Sequence, residues 1–180
     1  MENQPLCCKN AEIIVSANGK ISFGHGCIVH PKAKIIAEGC NIIFGEYNII
    51  EENVIIRVKP KSRPELNIVE IPTMFIGCYN HFKVGCLIEN SHIENFNIFD
   101  YFCKVQDDCH IESKCIITAG TVVPKRTHVK TSTIILDMQI IVTNNNFDEE
   151  TFKKYITELF KILYVLLPKH NQLHDTGEKK

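Results

Sequence analysis

The sequence lacks several features by which common classes of protein are identified. Its 20 basic and 21 acidic residues leave a net charge of −1, so nothing indicates a nucleic-acid or acidic membrane partner. No apolar run approaches the roughly 20 residues that span a bilayer. The first ten residues lack the basic and then apolar pattern of a secretory signal, and no N-x-[ST] acceptor occurs. We therefore expect a soluble intracellular protein of one domain.

Cysteine is plentiful, but its spacing excludes the usual cysteine frameworks. The chain has nine cysteines, an odd number, and no C-x2-C pair. Without a secretory signal a disulfide framework is not expected, and neither common C-x2-C zinc arrangement can be built. The interpretation that remains is that most cysteines are small core residues in a reducing compartment.

A six-residue repeat is the main positive signal. The 27 isoleucines favour strands. The β-branched aliphatic positions of the repeat are Val105, Ile111, Ile117, Val123, Val129 and Ile135. The small residues two positions earlier are Cys103, Cys109, Cys115, Thr121, Thr127 and Thr133. Because residues two apart share one face of a strand, the pattern predicts a hexapeptide-repeat β-helix with the aliphatic residues inside and the small residues at its corners.

Interruptions of the period define the domain plan. The period extends toward the N-terminus but breaks near 36–41, at 57–75 and near 88–93. Three prolines make 57–75 an extruded loop, which is either inert surface or a contact loop. We assign residues 11–143 to the β-helix and 1–10 to an N-terminal extension. Residues 144–168 are assigned to a helical segment and 169–180 to a flexible tail.

The helical segment has a clear start and an apolar stripe. Asp148 is a fair N-cap, the helix is expected over 149–167, and Pro168 is expected to end it. The stripe comprises Phe152, Tyr155, Ile156, Leu159, Phe160 and Leu163. We expect this helix to lie along one outer face of the β-helix.

The repeats, the corners and the terminal helix resemble the left-handed parallel β-helix family, which includes γ-class carbonic anhydrases and hexapeptide acyltransferases. Within it, VHPKAKIIAEG, FGEYNIIEENVII, IGCYNHFKVGC and LPKHNQL resemble the dynactin subunit 6 family, over residues 10–172. The loop 57–75 and the tail show no correspondence. The resemblance implies an all-β fold with one terminal helix: a single-stranded left-handed parallel β-helix with eighteen residues per coil and a C-terminal α-helix packed along one face.

The same resemblance implies a function. It describes a non-enzymatic, cytoplasmic, cytoskeleton-associated subunit of the dynactin complex, without a cofactor. Its implied partner is dynactin subunit 5 at the pointed end, near dynactin subunit 4 and the pointed-end actin-related protein. Through this assembly it would support cargo binding by dynein and its cargo adaptors in microtubule-based transport.

The alternative is an enzyme, a γ-carbonic anhydrase-like or hexapeptide acyltransferase homotrimer. The first kind of site implies three histidines on zinc, two of them spaced H-x4-H. This chain has one such pair, His25 and His30, without a third histidine at a plausible nearby position. No carboxylate is placed to orient a catalytic histidine, and inward thiols are inert. We therefore expect neither catalysis nor a metal.

Coils of eighteen residues predict an outward histidine column. His92, His110 and His128 are eighteen residues apart. The column is a metal site, a pH-sensitive contact or a row of solvated residues. A straight ladder brings two imidazoles to one zinc ion more easily than three, and no carboxylate or cysteine is evident to complete the shell. We favour a solvated polar ladder.

Two outward rows carry apolar residues. Ile98, Ile116 and Ile134 form one row, and Ile28, Ile49 and His81 are expected to lie on the same face. A soluble monomer should not expose such a row, so the helix or a partner must cover it. Leu87, Lys104, Val122 and Ile140 form a second, mixed row. Because one helix covers one face, we expect a partner on the other.

Overall fold

The computed structural model describes residues 5–63, 68–137, 139–143 and 147–171, which form twenty-two strands and one helix. The first eleven strands are β1 (Leu6–Cys7), β2 (Glu12–Ser16), β3 (Lys20–Ser22), β4 (Ile28–Val29), β5 (Lys34–Glu38), β6 (Asn41–Phe44), β7 (Ile49–Ile50), β8 (Ile55–Val58), β9 (Lys61–Arg63), β10 (Ile68–Glu70) and β11 (Thr73–Ile76). The others are β12 (His81–Phe82), β13 (Leu87–Glu89), β14 (His92–Ile93), β15 (Ile98–Phe99), β16 (Lys104–Val105), β17 (His110–Ile111), β18 (Ile116–Ile117), β19 (Val122–Val123), β20 (His128–Val129), β21 (Thr133–Leu136) and β22 (Gln139–Thr143). The helix is α1 (Glu149–His170).

Successive strands build three flat faces, because each coil contributes one strand to each face. Face 1 has the order β1-β4-β7-β12-β15-β18-β21, and β22 is added antiparallel at its end. Face 2 has the order β2-β5-β8-β13-β16-β19, and face 3 has the order β3-β6-β11-β14-β17-β20. Apart from β21–β22 and the hairpin β9–β10, the pairings are parallel. The predicted β-helical architecture with one terminal helix is confirmed.

The interior contains the residues that the repeat assigns to it. The six aliphatic residues from Val105 to Ile135 are at most 3% exposed. The small residues two positions earlier are also buried, except Thr127, which is half-buried. The Thr127 hydroxyl donates to the Pro124 carbonyl at 2.6 Å, so this side chain hydrogen-bonds within the turn instead of filling the core.

The corners repeat with the same period as the strands. Every sixth residue from 96 to 132 has a positive φ: Phe96, Phe102, Asp108, Lys114, Gly120, Arg126 and Ser132. Only one of these is glycine, so the other side chains accept a left-handed conformation that costs roughly 1–2 kcal/mol each. Hydrogen bonds between corners of neighbouring coils offset this cost, as where the Asp108 N–H donates to the Asn90 carbonyl at 3.2 Å.

Irregular coils have extra residues at corners and keep the strands in register. Between faces 2 and 3, Ala37 aligns with Val58, and Asn41 aligns with Thr73. Three residues join Ala37 to Asn41, whereas fourteen residues join Val58 to Thr73 one coil later. The additional chain contains the antiparallel hairpin of β9 and β10, which lies within the segment assigned to an extruded loop.

Both ends of the β-helix differ from the sequence-based plan. Residues Leu6–Cys7 pair with Ile28–Val29, so part of the segment assigned to an N-terminal extension forms the first strand of face 1. At the other end, β22 pairs antiparallel with β21 instead of beginning a further coil. Ile140, which was expected in the second outward row, lies in β22, and its side chain is not among those that the structure describes. Residues 172–180, most of the expected tail, lie outside the described residues.

The helix begins where predicted and extends beyond the predicted end. Asp148 caps it by accepting from the backbone N–H groups of Glu150 and Thr151 at 3.1 and 3.3 Å. Pro168 does not stop the helix, which continues to His170. A proline in the last turn removes only one backbone hydrogen bond, and the Asn171 N–H still donates to the Leu167 carbonyl at 2.8 Å.

Candidate functional site

Face 1 carries the isoleucine row, and α1 lies over it. Ile28 and Ile49 are fully buried, whereas Ile98, Ile116 and Ile134 are half-buried. These residues are register partners in one outward column, with His81 between Ile49 and Ile98. At the C-terminal end of α1, Leu167 packs in a cluster with Leu6, Cys8 and Ile28. A helix of 22 residues is about 33 Å long, and seven stacked strands span about 29 Å, so α1 matches the height of the face.

Polar and aromatic contacts fix the N-terminal half of α1. Glu149 pairs with Lys114 at 3.2 Å. Lys153 lies over Tyr79 and Phe96, at 5.9 and 5.1 Å from the ring centroids. These contacts and the Leu167 cluster place α1 against face 1, from the neighbourhood of Lys114 to Leu6 and Ile28.

A histidine–glutamate pair lies under α1. His81 is 3% exposed, its ring is 6.3 Å from that of Tyr155, and its Nε2 is 2.6 Å from Glu51 Oε1. Burial raises the pKa of the Glu51 carboxyl. The hydrogen bond and charge of His81 and the Val84 N–H lower it by more, so the pKa lies below its usual value. The Glu51 carboxylate therefore serves as the hydrogen-bond partner of the buried His81 imidazole and does not line an open site.

Face 2 presents a mixed surface, and none of the described residues forms a helix on it. Its outward column is Glu12, Lys34, Ile55, Leu87, Lys104 and Val122 in register. Leu87 and Val122 are half-buried, and Ile14 in the adjoining column is 42% exposed. Ion pairs Lys34–Glu12 and Arg57–Glu89 interrupt the apolar residues. This alternation of apolar and charged residues is typical of a non-obligate interface.

Face 3 carries the histidine column, in the register that the sequence predicts. His92 aligns with His110, and His110 with His128. The rings of His92 and His110 are 4.9 Å apart and nearly perpendicular, whereas those of His110 and His128 are 4.8 Å apart and parallel. Burial, followed by the charge of His110, lowers the pKa of His92.

The expectation that no carboxylate accompanies this column is wrong. His110 Nε2 lies 3.1 Å from Glu94 Oε1, and His128 Nε2 lies 2.7 Å from Glu112 Oε1. Each glutamate reaches the histidine of the next coil. The sequence does contain the signal, because His-Ile-Glu occurs at 92–94 and again at 110–112, and residues two apart share a face.

The alternative enzymatic pair lies elsewhere, at the N-terminal end of face 1. His30 Nδ1 is 2.9 Å from Glu52, whereas His25 packs edge-on against Tyr47 at 5.2 Å and near Phe160 of α1 at 6.4 Å. A pocket of about 410 Å³ between α1 and this corner is lined by His25, Tyr47 and Phe160. Glu52 orients His30, so the expectation that no carboxylate is placed to orient a histidine is wrong. The two histidines nevertheless have separate partners, and α1 lies beside them where the alternative requires a second subunit.

The cysteines are buried, as the corner interpretation requires. Eight of the nine thiols are at most 2% exposed, and only Cys78 is intermediate. Of the cysteines to which the sequence assigned no role, Cys7 and Cys40 belong to the β-helix core, whereas Cys8 is buried between the first coil and α1. The Cys78 thiol accepts a hydrogen bond from the Glu46 N–H at 3.2 Å.

Comparisons with known proteins give the fold class and the family. A solved hexapeptide transferase family protein from Anaplasma phagocytophilum superposes with a TM-score of 0.54 at 16% identity, covering 92% of each chain, which supports the left-handed β-helix fold alone. No protein-family model matches the sequence. In the described part of the chain, no helix is long and apolar enough to cross a membrane.

Curated relatives identify the family, whereas the solved structure supports only the fold. Dynactin subunit 6 of Nematostella vectensis is 37% identical over 132 residues, which are 68% of this chain and 68% of that protein. Dynactin subunit 6 of Xenopus tropicalis is 36% identical over 115 residues, 63% of this chain and 55% of that protein. The matched region thus spans between about half and two thirds of these relatives. On this similarity and the confirmed β-helix, the chain belongs to the dynactin subunit 6 family.

Proposed function

We propose that this chain is a non-enzymatic, cytoplasmic subunit of the dynactin complex that pairs through face 2 with dynactin subunit 5. Its place would be the pointed end, near dynactin subunit 4 and the pointed-end actin-related protein, where it supports cargo binding by dynein. The observation that carries the dynactin assignment is the similarity to curated dynactin subunit 6 proteins over most of the chain.

The choice of face follows from what covers each surface. The chain's own helix occupies face 1, and face 3 ends in a polar ladder of histidine and glutamate. Face 2 remains as a flat surface with apolar residues in register, including Ile55, Leu87 and Val122. A second β-helix presents an equally flat face, so side-by-side packing buries this row without rearrangement of either chain.

Co-purification with dynactin subunit 5 tests this assignment. Leu87→Glu and Val122→Glu place a charge in the proposed contact, and each should weaken the pair by more than about tenfold, because a desolvated unpaired charge is costly. Circular dichroism should show an unchanged fold, since both side chains are half-buried and outward. The matched control is His128→Glu, an outward strand substitution on face 3, which should leave the pair intact.

A third variant distinguishes face 1 from face 2. Ile116 belongs to the outward column of face 1, against which α1 packs, so Ile116→Glu should lower the stability of the isolated chain. If Ile116→Glu instead folds normally and loses subunit 5, while Leu87→Glu keeps it, the interface belongs to face 1 and the assignment to face 2 is wrong.

The enzymatic alternative makes a different prediction. Carbon dioxide hydration or acyl transfer that is lost in His25→Ala or His30→Ala would contradict the non-enzymatic role. Because His25 packs against Tyr47 and against Phe160 of the chain's own helix, away from the partner of His30, we expect no such activity from the purified chain.

A further inference from the structure

We infer that His92, Glu94 and His110 form a binding site for one divalent transition-metal ion of the zinc class. One ligand atom from each residue lies within 4.8 Å of the other two, and in the described part of the chain no other three residues of ligand type are so grouped. The two histidines come from adjacent strands of face 3, and Glu94 directly follows the strand of His92. The proposal is independent of the assembly role and extends beyond it.

The distances require only small side-chain movements. Two ligands of one tetrahedral zinc ion lie about 3.3 Å apart, because each metal–ligand bond is about 2 Å long. His110 Nε2 and Glu94 Oε1 are already 3.1 Å apart. The His92 ring is perpendicular to the His110 ring at 4.9 Å, so rotation of one exposed side chain brings its nitrogen to the same point. The strand pairing of His92 with His110 holds both backbones in place.

A supporting residue fixes the carboxylate. The Ser113 hydroxyl donates to Glu94 Oε2 at 2.9 Å, which orients the group and leaves Oε1 directed at the histidines. Such second contacts to a ligating carboxylate are common in metal sites. When the metal binds, His110 ligates through Nε2 and the N–H of the neutral imidazole is then on Nδ1, while Glu94 Oε1 exchanges its hydrogen bond to His110 for a bond to the metal.

The surroundings leave room for a fourth ligand. His92 is exposed, and Glu94 and His110 are only half-buried, so the site is open to solvent. Water can therefore complete a tetrahedral shell. Two imidazoles and one carboxylate suit zinc, cobalt or nickel, whereas magnesium and calcium prefer oxygen ligands alone.

The next coil of the ladder provides a matched control. Glu112 pairs with His128, and its second oxygen accepts from the Thr131 N–H and hydroxyl, each at 2.8 Å, as the second oxygen of Glu94 does from Ser113. The difference is the third ligand, because among the described residues only His92, Glu94 and His110 have ligand atoms within 4.8 Å of one another. The rings of His110 and His128 are parallel with centroids 4.8 Å apart, so their equivalent nitrogen atoms are also about 4.8 Å apart, which is too far for two ligands of one zinc ion. We therefore expect one ion per chain, at the first position only.

Equilibrium dialysis of the reduced, chelator-stripped chain against Zn²⁺, followed by elemental analysis, tests the site. We expect one zinc per chain, lost in His92→Ala and Glu94→Gln and retained in His128→Ala, with circular dichroism unchanged in all three. Ser113→Ala should weaken binding by roughly 10–100-fold. Zinc should raise the melting temperature of the wild type and His128→Ala but not of His92→Ala, and excess Mg²⁺ should not compete.

Two further measurements make the result decisive. Co²⁺ in place of Zn²⁺ should give the absorption of a tetrahedral site, absent in His92→Ala. The proposal is overturned if the wild type binds no stoichiometric zinc or if His92→Ala and Glu94→Gln bind it as well as the wild type. It is equally overturned if binding is lost in Cys78→Ser or His25→Ala instead, because the metal then belongs to a thiol or to the other histidine pair.

Discussion

Buried cysteine thiols are poor acids in this interior, and this property belongs to single residues. Burial raises the pKa of Cys7 to about 12 and those of Cys27 and Cys115 to about 11, from an ordinary value of 9.0. Burial also raises the pKa values of Cys8 and Cys109. The thiols therefore stay protonated in the folded chain at pH values where an unfolded chain ionises them.

Alkaline pH should destabilise the fold for this reason. A group whose pKa is raised in the folded state contributes stability below its unfolded pKa and loses it as the pH rises toward its folded pKa. Above the ordinary pKa of 9.0 and below the raised values of about 11 to 12, the thiols of Cys7, Cys27 and Cys115 should each lower the free energy of unfolding by up to about 1.4 kcal/mol per pH unit. Urea unfolding at pH 8, 9 and 10 measures the decline.

Two variants isolate the thiol contribution. Cys7→Ala should reduce the loss of unfolding free energy between pH 9 and 10 by about 1 kcal/mol. Ile156→Ala, which removes no ionisable group, should leave that loss unchanged. Equal slopes in the wild type and Cys7→Ala would show that other groups cause the alkaline loss.

The sequence alone predicts which residues point inward. It predicts less readily which side chains contact each other between neighbouring coils. The six-residue period places Val105 and Ile111 inside because alternation along a strand leaves no other choice. The contact from Glu94 to His110 requires the diagonal reach of a long side chain between coils. A search for repeated outward pairs, such as His-Ile-Glu at 92–94 and 110–112, recovers it.

At the scale of elements, α1 is stabilised mainly by the surface that it covers. Ile156 is fully buried, whereas Ile162 is 54% exposed. The cap at Asp148 and the stripe were predictable because both are local patterns. The end at His170 was not, because it depends on how the last turn packs around Leu6 and Ile28.

The same substitution at these two helix positions separates packing from helix propensity. Ile156→Ala should lower the free energy of unfolding by about 2–4 kcal/mol, because it removes buried methyl groups and leaves a cavity. Ile162→Ala should change it by no more than about 0.5 kcal/mol. Urea unfolding followed by circular dichroism measures both, and similar losses at the two positions would show that α1 does not pack on face 1 as described.

At the scale of the whole molecule, the register of the faces is maintained although the coils differ in length. Ile93 and Ile111 are eighteen residues apart, as the resemblance predicts, whereas Ile76 and Ile93 are seventeen apart and Met74 pairs with Ile42 across thirty-two. The sequence locates these irregularities but not their structure. Corner insertions do not alter the strand pattern, so periodicity cannot show that 57–75 contains a hairpin.

Because each coil contacts mainly its neighbours, a corner should be exchangeable between coils. Ala37–Val58 and Asn41–Thr73 are register pairs, so the three residues 38–40 join the same two points that residues 59–72 join one coil later. Replacing residues 59–72 by the sequence Glu-Gly-Cys of 38–40 should keep the fold and change the free energy of unfolding by no more than about 1 kcal/mol, since loop length has a weak effect on stability. Circular dichroism and urea unfolding give the result.

A matched graft tests the corner geometry itself. Gly39 has a φ of 63°, in the left-handed region, so the same graft with valine at its middle position should be less stable by roughly 1–2 kcal/mol. If both grafts fold equally well, the corner is not transferred in register. If neither folds, the hairpin stabilises the coil and is not an extruded addition. A folded glycine graft that no longer co-purifies with subunit 5 would identify 57–75 as a contact loop, and one that binds normally would leave face 2 as the contact surface.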